Sequence, residues 1–116
     1  MITVYHYPAC GTCKKAKKWL EANGIDVKWV HIVDNPPSAQ LLKKAWKLSG
    51  LAINKFFNTS GQVYRQGDYK TKLQTMSDED ALRELAAHGK LIKRPLLITD
   101  KIALVGFKEE NYQQLL

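Results

Sequence analysis

Cys10 and Cys13 are the only thiols in the chain. They stand three residues apart in the segment YHYPACGTCKKAKKWL, residues 5–20. A pair at this spacing fits three situations: reversible thiol–disulfide exchange, half of a zinc site, or two ordinary packing residues. Zinc takes about four ligands. The other imidazole or thiol ligands on offer are His6, His31 and His88, with no second cysteine pair. Exchange is the chemistry the surroundings favour. A β-rich run, Ile2–His6, leads into the turn-like PACGT, and a helical pattern starts at Thr12. The first amides of a helix have no intrahelical acceptor, so they stabilise an anion placed before them, and a Cys10 thiolate is such an anion. Lys14, Lys15, Lys17 and Lys18 follow and are expected to add positive potential. Cys13 lies one helical turn on, close enough to displace a product from a mixed disulfide on Cys10. Cys10 is thus the expected nucleophile and Cys13 the resolving thiol. Gly11 and Thr12 place no bulk between them and offer backbone donors to a substrate.

A second candidate is Arg94-Pro95, in KRPLL. Proline has no N–H to donate and suits the start of a strand. Its peptide bond is a candidate for the cis form. If this segment faces the cysteines, the guanidinium of Arg94 stabilises the thiolate or grips an oxyanion; otherwise KLIKR is a solvated basic run. Asn58, with Thr59 and Ser60, either hydrogen-bonds an oxyanion or caps a turn. Tyr5, His6 and Tyr7 flank the cysteine loop and read first as packing. His88 reads as a helix end, and Arg65 as solvated.

The elements that must position these residues follow from periodicity. The pattern from Thr12 to Asn23 is helical, with Ala16, Trp19 and Leu20 on one face. VKWVHI (27–32) alternates as a strand. Ser38 can cap a helix running to about Ser49, and Leu41, Leu42, Ala45, Trp46 and Leu48 fit its buried side. INKFFNTSGQ suggests a short helix and a loop, and YRQGDYK an irregular polar stretch with at most one helical turn. Ser77 followed by DED starts another helix, its carboxylates opposing the positive end of the dipole; it is expected to reach His88 and stop at Gly89. PLLIT and IALVG form a hairpin about DK, and FKEENYQQLL closes as a helix. The order β-α-β, a helical insertion over about 38–89, then β-β-α predicts an α/β fold. Its sheet is a mixed, four-stranded, thioredoxin-like one, with the first two strands parallel and the last two antiparallel.

With 116 residues, 45% of them apolar, the chain suits one domain spanning 1–116 that needs no structural disulfide. The formal charge of +7 points to anionic company: acidic protein surfaces, oxyanions, anionic thiols or nucleic acid. The three tryptophans are too scattered for one stacking platform, which argues against direct nucleic-acid binding. No apolar run approaches the ~18 residues of a membrane span, and MITVYHYPAC has no basic stretch followed by an apolar one, so no signal peptide is expected. A cytoplasmic protein is expected, and there paired cysteines do redox or metal chemistry rather than stapling a fold.

YHYPACGTCKKAKKWLEANGI, LIKRPLLI and LVGFKEENYQQLL together resemble the arsenate-reductase-like family and its Spx branch, over nearly the whole chain. The resemblance implies a thioredoxin-like sheet with a helical insertion, a nucleophilic first cysteine and a proline opening the third strand. It also implies an oxyanion held by three arginines. Of those this chain keeps Arg94, with Asn58 and Gly106 near the other two places, which argues against arsenate as the substrate. In the Spx branch a CxxC pair is a redox switch in a regulator that binds RNA polymerase. Two functions are therefore expected to compete. One is a thiol oxidoreductase acting on a small oxidised substrate, with no bound cofactor or metal and with electrons from a small thiol or a thioredoxin-type donor. The other is a redox-sensing regulator whose partner is the RNA polymerase α-subunit.

Overall fold

The computed structural model describes residues 1–116. Strand β1 (Ile2–His6) leads into helix α1 (Gly11–Ala22) and strand β2 (Val27–His31). Helices α2 (Ala39–Ser49), α3 (Gln62–Gln66), α4 (Tyr69–Lys72) and α5 (Asp78–Ala87) follow, with 3₁₀ turns at Ile53–Phe56 and Gly89–Leu91. Strands β3 (Leu96–Ile98) and β4 (Ala103–Val105) then form a hairpin. Helix α6 (Glu109–Tyr112) and a 3₁₀ turn at Gln113–Leu115 complete the chain. The strand order is β2-β1-β3-β4. β1 runs parallel to β2, from Ile2 opposite Val27 to His6 opposite His31. It is antiparallel to β3, and β3 to β4. This is the mixed thioredoxin-like sheet expected from the sequence. No helix is long and apolar enough to cross a membrane.

The strand period of two splits β1 between two cores. Val4 joins Ala16 and Leu20 of α1, Leu97 and Tyr112 on one face. Tyr5 and Tyr7 pack against the larger cluster built from α2, α5, Phe56, Phe57 and Leu91 on the other. Ala16 and Leu20 lie one turn apart and are fully buried, and burying a leucine contributes about 1.5–3 kcal/mol. That seam fixes the start of α1 against the end of β1, where the cysteine loop emerges.

Helix caps set the insertion. Ser38 Oγ accepts the Leu41 N–H at 3.1 Å, and Ser77 Oγ accepts that of Asp80 at 3.1 Å. One expectation needs correction. The stretch around YRQGDYK holds two short helices, α3 and α4, joined where Asp68 adopts φ 53; tertiary packing of Tyr64 and Tyr69 on Phe57, not local pattern, orders them. The end of α5 is as expected to within a residue. The helix ends at Ala87 with His88 as its cap, and Gly89 opens the following turn, buried where any Cβ would collide with the Ile32 carbonyl.

Candidate active site

Cys10 occupies the N-cap of α1. A cap residue normally presents an oxygen to the free amides of the first turn; here a sulfur does so. The Cys13 N–H donates to Cys10 Sγ at 3.5 Å, and the Thr12 backbone and the Cys13 side chain add to the stabilisation of its thiolate. No carboxylate lies in the first turn of α1 to compete for the positive end of the dipole. Burial works against the Cys10 thiolate. The Cys13 and Thr12 hydrogen bonds and the charge of Arg94 outweigh it, and the pKa falls below the ordinary thiol value. Cys13 behaves oppositely. It is 2% exposed, and burial together with the negative neighbour Cys10 pushes its pKa up to about 12, against the Tyr7 N–H that donates to its sulfur at 3.5 Å. Both cysteines are free thiols. One spacing thus yields two unlike sulfurs: an accessible one biased to the anion, and a buried one held as a thiol beside it.

The lysine run does not act as expected. Lys14, Lys15, Lys17 and Lys18 are exposed and none contributes to the Cys10 shift; Lys17 Nζ lies over the Trp29 ring instead, 5.6 Å from its centroid. The charge that reaches the sulfur is Arg94. Its guanidinium lies over the Tyr7 ring at 5.0 Å, and Nη1 donates to the Lys90 carbonyl at 3.1 Å. Nε is buried without a partner. The Arg94-Pro95 bond is cis.

Cys10, Thr12, Asn58 and Arg94 border one cavity of about 560 Å³. Gly11 and Pro95 do not. Gly11 is exposed beside its mouth, whereas Pro95 is buried behind it, its carbonyl accepting the Gly106 N–H at 2.9 Å. Asn58 is oriented by Ser60, whose hydroxyl donates to Oδ1 at 3.3 Å. The cavity also takes in Lys93, Phe107 and Lys108, which sequence reasoning missed; no Asp or Glu borders it. Lys93 Cε lies 3.2 Å from where a Cβ on Gly106 would stand, so a lysine side chain covers that glycine. No three His, Cys, Asp or Glu side chains converge on a common point. The arrangement can hold a small anion or anionic thiol beside a thiolate and carry out sulfur–sulfur exchange.

Comparison with known proteins agrees with this architecture. A family model described as the ArsC family matches residues 5–115. The protein YusI of Bacillus subtilis (strain 168), itself uncharacterised, is 49% identical over 113 residues, which cover 97% of this chain and 96% of that one. The crystal structure of a protein described as ArsC-family-related, from Bacteroides fragilis, superposes with a TM-score of 0.97 at 48% identity. It covers 99% of this chain and 97% of its own. The global transcriptional regulator Spx of B. subtilis (strain 168) is 27% identical over 116 residues, all of this chain and 87% of that protein.

Proposed function

The chain belongs to the ArsC family, and from that premise we propose that it is a thiol-based oxidoreductase with Cys10 as nucleophile and Cys13 as resolving thiol. The asymmetry of the pair carries the proposal: a helix-capping sulfur biased to the thiolate, with the buried Cys13 thiol beside it and the Cys13 N–H donating to it. The Cys10 thiolate attacks one sulfur of a disulfide substrate; a mixed disulfide forms and one substrate thiolate leaves. Cys10 has then lost its charge, so its electrostatic penalty on Cys13 lapses, while the Tyr7 N–H and Arg94 still favour the Cys13 thiolate. Cys13 gives up its proton and attacks Cys10 Sγ. The second substrate thiolate leaves, and the enzyme holds a Cys10–Cys13 disulfide. Two electrons have passed to the substrate. A small thiol or a thioredoxin-type protein returns them, with no bound cofactor.

The cations around the cavity support a small anionic substrate, with Arg94, Lys93 and Lys108 as its holders and Asn58 and the Thr12 amide as neutral donors. One guanidinium argues against arsenate. The test is steady turnover of a low-molecular-weight disulfide in the presence of a reducing system. Cys10→Ser is expected to abolish it, and Cys13→Ser to reduce it and leave a mixed disulfide on Cys10. Turnover that survives Cys10→Ser refutes the proposal.

Similarity to Spx supports a second reading: a redox-responsive regulator that binds RNA polymerase, its Cys10–Cys13 disulfide altering the interface. Binding to the isolated carboxy-terminal domain of the polymerase α-subunit in one redox state only, with no catalytic turnover, would favour it.

A further inference from the structure

The two sulfurs open on different cavities. Cys10 borders the large basic one, whereas Cys13 borders a separate cavity of about 220 Å³ with His6, Pro8, Lys14 and Lys17. Strand geometry places His6 there. It shares its face of β1 with Val4, which packs on Ala16 of α1. The peptide N–H that follows His6, that of Tyr7, is the one that donates to Cys13 Sγ. The Trp29 ring and the imidazole meet in a T-shaped arrangement, with centroids 5.0 Å apart.

The resolving step must dispose of a proton that starts on a deeply buried sulfur. No carboxylate borders either cavity. Around Cys13, proline offers no side-chain acceptor and ammonium groups offer none either; a neutral imidazole does. We propose that His6 is the proton acceptor for Cys13 in the resolving step, an inference that rests on the oxidoreductase reading above. The Cys13 S–H bond breaks and its proton passes through a water, for which the cavity has room, to a ring nitrogen of His6. The sulfur electron pair forms the Cys13–Cys10 bond. The bond from Cys10 to the substrate sulfur breaks, and the substrate departs as thiolate with that electron pair.

The groups facing His6 suit the task. From α1 these are Lys14, Lys17 and Cys13; from β2 they are His31, directly opposite in the strand register, and Trp29. Asp34 Oδ2 lies 3.8 Å from His31 Nδ1, which accepts the Val33 and Asp34 N–H groups. Burial, then the charge of Lys17, then His31 lower the His6 pKa below the ordinary histidine value. The imidazole is therefore neutral when Cys13 needs an acceptor, and the same neighbours help it shed the proton to solvent afterwards.

The test uses 5,5′-dithiobis(2-nitrobenzoate) as substrate and follows the coloured thiolate by stopped flow. The first release reports attack by Cys10, and the second reports resolution by Cys13. In His6→Gln and His6→Asn the first release should be unchanged and the second slowed on the order of 100-fold near neutral pH. Added imidazole should restore part of it, and the histidine limb of its pH profile should be lost. Two results overturn the inference: a second release as fast as in the wild type, or one that is slowed but keeps the wild-type pH profile and ignores imidazole, as a packing role would give. A wild type that shows no second release instead removes Cys13 as resolving thiol and takes the oxidoreductase reading with it.

Discussion

Replacing Arg94 by glutamine isolates the one side-chain charge that reaches the nucleophile. Arg94 is half-buried, stacks on Tyr7 and borders the same cavity as Cys10, and its charge lowers the Cys10 pKa. Two unit charges roughly 5–10 Å apart at an effective dielectric near 20 interact by about 2–3 kcal/mol. The cavity opens to water and salt screens the pair, which leaves on the order of 1 kcal/mol. That is about a fivefold smaller thiolate fraction at any pH below the Cys10 pKa. The assay is the rate of iodoacetamide labelling of Cys10 as a function of pH, read by mass spectrometry; buried Cys13 should stay unlabelled. Arg94→Gln should label about fivefold more slowly in the acidic limb and converge with the wild type once both are fully ionised. Arg94→Lys should fall between them, keeping charge without the guanidinium plane. Raising the salt should narrow the gap between wild type and Arg94→Gln. Equal labelling of the two proteins across the whole range would refute the assignment of Arg94 as the thiolate's charge partner.

Other consequences are simpler to read. Gly89→Ala forces a Cβ into the Ile32 carbonyl, and overpacking of this kind costs about 1–3 kcal/mol; thermal unfolding followed by circular dichroism should show a drop of several degrees. Cys13 has a folded-state pKa raised from 9.0 to about 12, so the folded state binds more protons than the unfolded state in that window. Its contribution to stability is present below pH 9 and is lost as pH rises through the window. Denaturant midpoints of the reduced protein should therefore fall less steeply above pH 9 in Cys13→Ala than in the wild type.

Much of the fold is legible in the chain itself. Ala16 and Leu20 at helical spacing, the Ser38 and Ser77 caps and the alternating 27–32 run are local signals, and local signals suffice for α1, α2, α5 and β2. The hairpin of β3 and β4 is legible for the same reason. Helices α3 and α4 are not: four or five residues are too few to show a period, and they are ordered by Tyr64 and Tyr69 packing on Phe57. The cavity shows the same division. Cys10 and Arg94 stand out by residue type, but Lys93, Phe107 and Lys108 become neighbours of Cys10 only when β3 and β4 join the sheet. Charge in sequence also misleads. Four lysines next to the pair suggest its electrostatic field, yet none of them lowers the Cys10 pKa, while the charge of an arginine far along the chain does. His6 reads as packing because a strand residue beside a turn usually is; the separate cavity it shares with Cys13 is a tertiary feature.

Thiolate absorbance in the ultraviolet, titrated with pH in the reduced wild type and in Cys10→Ser, is the sharpest check on the asymmetry of the two sulfurs. One thiolate should form below the ordinary thiol range in the wild type and be missing from Cys10→Ser, with Cys13 ionising only in strong alkali. A wild-type curve with no ionisation below that range, or one that Cys10→Ser leaves in place, would contradict the assignment of Cys10 as the activated nucleophile.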